Sequence, residues 1–309
     1  MSIAFIFPGQ GSQYVGMGRE IWESSQKVKD IFTLGSEICN IELAKLCFEG
    51  PIEELTRTVN LQPALTAVEI GIFSCLSEKN ILPDAVAGHS LGEYPALYAA
   101  GVLSLEDTFL TVKQRAFLME ESARRCPGSM LAIVKLELEI VKNILTDYKE
   151  AELANYNSPK QIVISGKEEV LEDIAKKVKS MGGRGILLKV SGAWHSSFMK
   201  EAQKRFKEFL ENITFRKPKI AIYFNVTAKA ENDPEKIREI MWQQICSPVL
   251  WCEEIKNMQK DGIKTFVEVG PKQVLTNLVK HILADESYKI FNIETFFDIK
   301  SLEREEIIK

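Results

Sequence analysis

Asp84 to Tyr94 reads DAVAGHSLGEY: a short apolar run, then G-x-S-x-G, then a stretch that suits a helix. Residues 84–87 read as a strand buried on both faces, and 91–100 as a helix. A strand that becomes a helix over one serine must turn so sharply that the positions two before and two after it meet. Gly88 and Gly92 stand at those positions, with no Cβ to collide. The turn would lift the Ser90 hydroxyl into a cleft at the helix N-terminus. There the Leu91 N–H and the helix dipole favour negative charge developing on a substrate oxygen. A helix-capping serine between glycines accounts for the same letters in many loops. The buried strand before it, the helix after it and His89 at the variable position favour a nucleophile. Glu93 reads as a first-turn acid complementing the dipole, and Pro95 removes one backbone bond early in the helix.

Working outward, residues 3–7 (IAFIF) form another buried strand, stopped by Pro8-Gly9. Helical patterns cover 17–30, 41–48, 62–79 and 105–124. Strands alternating with helices predict a parallel sheet covered on both sides, hence an α/β fold. The rhythm then changes: strand 130–136, helix 138–148, strands 151–155 and 161–165, helix 168–181, strand 185–190. That is β-α-β-β-α-β, the ferredoxin-like pattern, read as an insert with joints near Pro127-Gly128 and Ser191-Gly192. Helices and buried strands resume at 199–210, 221–225, 234–245, 249–261, 265–269 and 273–283.

A serine hydroxyl needs a base within reach, and the chain has three histidines. His89 adjoins Ser90, and neighbours across a sharp turn point apart. His281 lies in the apolar helix VLTNLVKHIL and reads as a structural or surface residue. His195, in VSGAWHSSFM, follows a strand end, where catalytic residues gather in such sheets; it is the candidate base. The loop FPGQGSQ (7–13) has two glycines but Tyr14 where a dinucleotide fingerprint needs a third, and no P-loop Gly-Lys-Ser/Thr follows. Its free N–H groups can face the cleft, and Gln10 could add a second oxyanion donor to Leu91. Arg115 borders the apolar stripe Phe109, Val112, Ala116, Met119, Ala123 of its helix. Two readings stay open for it: an arginine reaching solvent or pairing with Glu120 or Glu121, or one holding an anion in a bidentate fork.

The 309 residues suffice for one large domain with an insert, and 45% hydrophobic with 27% charged residues is ordinary globular composition. A net charge of −4 leaves no basic excess for nucleic acid. Six cysteines without a CxxC pair predict free thiols in a reducing cytosol, with no metal site and no disulfides. No basic segment precedes the first strand, and no apolar stretch was expected to reach the ~18 residues of a membrane span. The expectation is a cytoplasmic monomer.

FPGQGSQ, LQPALTAVEIG, GHSLGEY, QRAFLM, GSMLAIV, ANYNSPKQIVISG, VSGAWHSSFM, QQICSPVLW and VEVGPKQVL occur in this order. So arranged, the chain resembles the malonyl-CoA:acyl-carrier-protein transacylases nearly end to end, with the discrete acyltransferases of polyketide synthases as close relatives. The resemblance implies an α/β-hydrolase-like large domain with a parallel sheet (1–127 and 191–309) and an inserted ferredoxin-like small domain (128–190). It implies malonyl transfer from malonyl-CoA to the phosphopantetheine thiol of acyl carrier protein, by a ping-pong route through a Ser90 ester, with no cofactor, for fatty acid biosynthesis or, alternatively, polyketide biosynthesis. In that picture His195 is the base and the N–H groups of Gln10 and Leu91 form the oxyanion hole. Arg115 holds the malonyl carboxylate, and Gln244 orients His195 through a backbone carbonyl. Gln62, Met119 and Asn157 line or support the pocket. Trp194, where the family often carries Phe, favours an unbranched malonyl unit. Lys135 and Lys272 also depart from the family pattern, the latter where glycine is usual. Arg184, Lys189, Lys200 and Lys204 are candidates for a carrier-protein patch, an ordinary solvated face being the other reading. A serine thioesterase would share the elbow and histidine but needs no arginine for a substrate carboxylate.

Overall fold

Successive side chains of β1 (Ser2–Phe7) point to opposite faces of the central sheet. Ile3, Phe5 and Phe7 enter one apolar core, while Ala4 and Ile6 enter another. The computed structural model describes residues 2–284 and 287–304. After β1 come α1 (Arg19–Ser24), α2 (Gln26–Cys39), α3 (Leu43–Glu49), α4 (Ile52–Leu55), α5 (Thr58–Glu78) and β2 (Ala85–Gly88). The elbow leads into α6 (Glu93–Ala99) and α7 (Leu105–Arg125). Then follow β3 (Ser129–Val134), α8 (Leu138–Leu145), β4 (Ala151–Ser158), β5 (Gln161–Gly166), α9 (Glu168–Ser180) and β6 (Arg184–Leu187). The remainder holds α10 (Lys200–Leu210), β7 (Ala221–Phe224), β8 (Lys229–Ala230), α11 (Pro234–Gln243) and α12 (Trp251–Lys260). It closes with β9 (Ile263–Val269), α13 (Val274–Ile282), β10 (Lys289–Ile293) and α14 (Phe296–Arg304).

The central sheet has the order β10-β9-β1-β2-β7-β8, parallel except for the terminal β7–β8 pair. The elbow strand β2 is therefore interior, paired with β1 and β7. The second sheet, β4-β5-β3-β6, is antiparallel and has the ferredoxin-like order, with a core of its own. Two backbone bonds, Tyr156 N–H to the Val249 carbonyl and Val249 N–H to the Ala154 carbonyl, both 2.8 Å, tie its edge strand β4 to the loop before α12.

Several local expectations are corrected. The helix anticipated over 17–30 is two helices, because Ser25 is extended and its hydroxyl accepts the Val28 N–H at 3.4 Å. It ends one helix and caps the next. Strand β6 ends at Leu187, and after one further backbone bond to β3, from the Leu188 N–H to the Met130 carbonyl at 2.9 Å, the chain runs on to His195. α4, β8, β10 and α14 were not anticipated; β10 is an edge strand with Ile293 its one buried side chain, so its apolar alternation is faint. Contrary to the reading of the sequence, α5 is long and apolar enough to cross a membrane by length and composition. It is instead the core helix of this fold, buried along most of its length.

Candidate active site

Ser90 adopts the left-handed conformation, with φ of 52°. The glycines around it are obligatory. A Cβ on Gly88 would lie 1.9 Å from the Gly92 carbonyl carbon, and one on Gly92 would lie 2.0 Å from the Phe7 carbonyl oxygen. The turn is held at its flanks by His89 N–H donating to the Phe7 carbonyl (2.9 Å) and Gly92 N–H donating to the His89 carbonyl (3.0 Å).

The Ser90 hydroxyl lies 2.8 Å from His195 Nε2, and His195 Nδ1 lies 2.9 Å from the Gln244 carbonyl oxygen. A carbonyl can only accept, so Nδ1 carries the hydrogen and Nε2 offers its lone pair to Ser90. Burial, then the Arg115 cation, pushes the His195 pKa down to about 3. Both effects favour the neutral ring, whose Nε2 lone pair faces the hydroxyl. His89 points away, its Nε2 bonded to Asn157 Oδ1 at 2.8 Å and its ring edge-on to Trp251. His281 is exposed in the last turn of α13. Of the three histidines, His195 meets the serine.

Arg115 is brought in by α7, which starts at Ser104, whose hydroxyl accepts the Asp107 N–H at 3.0 Å, and ends on Arg124 and Arg125. Arg115 is 1% exposed. Nη1 donates to Gln62 Oε1 (2.9 Å), and Nη2 donates to Gln244 Oε1 (2.9 Å) and to the Ser90 hydroxyl oxygen (3.1 Å). It faces the Tyr94 ring at 5.4 Å. Glu120 and Glu121, the alternative partners, pair with Arg57, Arg124, Arg125 and Arg205 instead. A buried cation thus sits against the hydroxyl with neutral side chains as its hydrogen-bond partners.

One cavity of about 160 Å3 is lined by Ser90, His195, Arg115, Gln10, Leu91, Gln62, Met119, Asn157 and Trp194. Of the residues expected to react or to hold substrate, only Gln244 is not in its lining; it stands behind His195 and Arg115. Met119 Sδ receives Gln62 Nε2 at 3.7 Å. A second cavity, of about 420 Å3, shares Gln10 and Val190 with the first and is bordered by Arg57, Arg124 and Lys189. Arg184, Lys189, Lys200 and Lys204 are all exposed. Lys135 lies in the turn after β3, in the left-handed region, its N–H on the Lys160 carbonyl. Lys272, also left-handed at φ 62°, sends Nζ to the carbonyls of Gly11 (3.3 Å) and Gln13 (2.9 Å), the loop that carries Gln10. Among the described residues, no group of three or more His, Cys, Asp or Glu is placed to hold a metal.

Sequence reasoning missed a buried polar layer beneath the serine. Asn225 Oδ1 accepts the Ser90 N–H at 2.7 Å, and Gln244 Nε2 donates to the Ser90 carbonyl at 2.8 Å. Glu93 does lie in the first turn of α6, but fully buried: it accepts the Asn225 N–H at 2.6 Å and also bonds Gln244 Nε2. Burial pushes its carboxyl up to about 8, against the pull of Asn225, Gln244 and Arg115. The one available clue was an asparagine at the end of a buried strand, the position where sites gather in such sheets.

The interior parallel strand, the forced elbow and the neutral histidine define an α/β protein of the class that presents a serine to an acyl group. Residues 4–295 match the acyl transferase domain family. The malonyl CoA-acyl carrier protein transacylase of Bacillus subtilis (strain 168) is 41% identical over 285 residues, covering 91% of this chain and 90% of that protein. The crystal structure of an acyl carrier protein S-malonyltransferase from Vibrio cholerae superposes with a TM-score of 0.93 at 34% identity, covering 98% of this chain and 100% of that one. A malonyl-transacylase solved in complex with a type II PKS acyl-carrier protein gives 0.94 at 33% identity, with 98% and 100% covered. The chain belongs to the malonyl-CoA:acyl-carrier-protein transacylase family of acyl transferases.

Proposed function

We propose that the protein transfers malonyl from malonyl-CoA to the phosphopantetheine thiol of acyl carrier protein, through an ester on Ser90, for fatty acid biosynthesis. The observation that carries this reading is Arg115: a buried guanidinium bonded to neutral side chains beside the candidate nucleophile. Malonyl brings a carboxylate that such a fork can pair, and the pairing sets the thioester carbonyl against Ser90.

The chemistry follows from the hydrogen-bond directions. As Ser90 Oγ attacks the thioester carbon, His195 Nε2 takes the hydroxyl proton, and the Gln244 carbonyl steadies the imidazolium through Nδ1–H. Backbone N–H groups of Leu91 and Gln10 receive the oxyanion. Collapse expels the coenzyme A thiolate, which takes the proton from His195. The carrier's thiol then gives its proton to His195, attacks the ester and leaves with malonyl, restoring Ser90. The reaction needs no cofactor. The large α/β-hydrolase-like domain (1–127 and 191–309) supplies the reacting groups, and the ferredoxin-like small domain (128–190) walls the cleft through Asn157. Trp194 narrows the space at the α-carbon. The protein acts as a cytoplasmic monomer, with the exposed Arg184, Lys189, Lys200 and Lys204 facing an acidic carrier.

Incubation with malonyl-CoA alone should add the mass of one malonyl group to Ser90, with none on Ser90→Ala; intact-mass spectrometry reads this directly. An adduct on the alanine variant would dismiss Ser90. Steady release of free malonate with no carrier present would point to a hydrolase.

A further inference from the structure

The parallel pairing of β2 with β7 is recorded at Ala85–Ala221 and Val86–Ile222. Extended along both strands, that register brings Asn225 alongside the elbow, where the backbone of β2 turns away and can pair no further. The side chain of Asn225 occupies that gap. Its Oδ1 accepts the Ser90 N–H at 2.7 Å, and its Nδ2 donates to the Gly88 carbonyl at 2.7 Å. One amide thus supplies an acceptor and a donor at the spacing a neighbouring peptide unit would have offered. We propose that Asn225 is a positioning residue for the nucleophile, its amide continuing the sheet pairing across the elbow and holding the Ser90 peptide in its left-handed conformation. The inference rests on the reading of Ser90 as the reacting group.

The orientation of the amide is determined by its partners. The Gly88 carbonyl can only accept and the Ser90 N–H can only donate, so oxygen and nitrogen cannot exchange places. The second Nδ2 hydrogen goes to Glu254 Oε2 at 2.9 Å, which satisfies the buried nitrogen. Asn225 is itself immobilised: it is fully buried, its N–H donates to Glu93 Oε1 at 2.6 Å, and its carbonyl accepts the Leu250 N–H at 3.0 Å. On the far side of the same residue, the Gln244 amide donates to the Ser90 carbonyl. Both backbone groups of Ser90 are therefore gripped by side-chain amides from elements more than a hundred residues away in sequence. Left-handed backbone outside glycine is strained and persists only where the surroundings over-determine it. Aspartate would keep the acceptor for Ser90 but lose the donor to Gly88, and serine is too short to span both. The same strain aims Oγ at His195, so loosening the clamp should blunt the serine and leave thioester binding intact.

The test is the rate of Ser90 modification by two reagents on the folded wild type, Asn225→Ala and Asn225→Asp. Malonyl-CoA reports the proposed reaction, and a fluorophosphonate, which needs only an aligned serine and its base, reports the nucleophile itself. Asn225→Ala should slow both by about tenfold or more with KM for malonyl-CoA unchanged, since small misplacements of reacting groups cost factors of that order and above. Asn225→Asp should fall between it and wild type. If the alanine variant does not fold, the aspartate variant decides alone. Wild-type rates with both reagents in the folded variants would overturn the clamp, as would a loss confined to KM. If wild type takes the fluorophosphonate but no malonyl, and the variants still label slowly, the clamp stands and the proposed function falls.

Discussion

Arg115 carries its charge among amides and a hydroxyl, and this arrangement bears on specificity. Malonyl differs from acetyl by one carboxylate, which the guanidinium can pair; acetyl leaves the cation as it is. The same cation helps hold the His195 pKa down, so under the proposed function a carboxylate that neutralises it would make His195 a stronger base while malonyl is bound. Arg115→Ala should lower kcat/KM for malonyl-CoA by about 10²-fold or more, as expected for truncating one member of a buried charge pair. With acetyl-CoA the loss should be far smaller, or a gain, because the depressing charge on His195 is gone. Arg115→Lys should recover part of the malonyl activity, a point charge being no substitute for the fork. Equal losses with both thioesters would make Arg115 structural. At this scale the sequence was legible where chemistry and position coincide. Ser90 stood between obligatory glycines and Arg115 stood on the edge of a stripe. Asn225 left only its place at a strand end as a clue and Glu254 none, because a buried amide or acid is identified by what surrounds it, and those neighbours lie far along the chain.

At the scale of elements, the first loop is gripped from outside. Lys272, at the turn after β9, bonds two carbonyls of the loop carrying Gln10. Its own N–H donates to Glu294 Oε2 at 3.1 Å, and Tyr14 bonds the same carboxylate. A lysine in left-handed backbone is strained where glycine would not be, so the side chain must compensate. Lys272→Gly should relieve the backbone while freeing the loop. Melting temperature should stay level or rise, and acylation by malonyl-CoA should slow a few-fold, about the worth of one or two exposed hydrogen bonds. Stopped-flow acylation together with a melting curve separates the two effects; unchanged acylation would sink the idea. Elements with strong apolar patterns, such as β1, β2 and α7, were read from the sequence within a residue or two. The break at Ser25 was not, because α1 and α2 continue one another's apolar spacing and only the capping hydroxyl divides them. The edge strand β10 was missed for want of buried side chains.

For the whole molecule, the alternating rhythm was enough to foresee two sheets, since strand–helix alternation and β-α-β-β-α-β each admit few arrangements. What the rhythm could not reveal is the acid buried between layers. Glu69 of α5 is fully buried with both carboxyl oxygens unpartnered among the described residues, and burial together with the charge of Glu268 raises its pKa well above an ordinary glutamate's. An unfolded chain loses that proton above about pH 4.3, whereas the folded chain keeps it. Stability is therefore full below that pH and falls as pH rises towards the folded pKa, by at most about 1.4 kcal/mol per unit. Glu69→Gln, of similar shape and never charged, should melt higher than wild type near pH 8, with the gap closing towards pH 4.5; parallel curves would refute the assignment. The long sequence separations in the site have a consequence in time. Ser90 and His195 lie 105 positions apart, and Gln244 follows later still. At about 5–20 residues per second on the ribosome, a nascent chain displays its serine for ~5–20 s before its histidine exists. A copy that ends before His195 therefore lacks the base proposed to activate the serine, and cannot squander the thioesters around it.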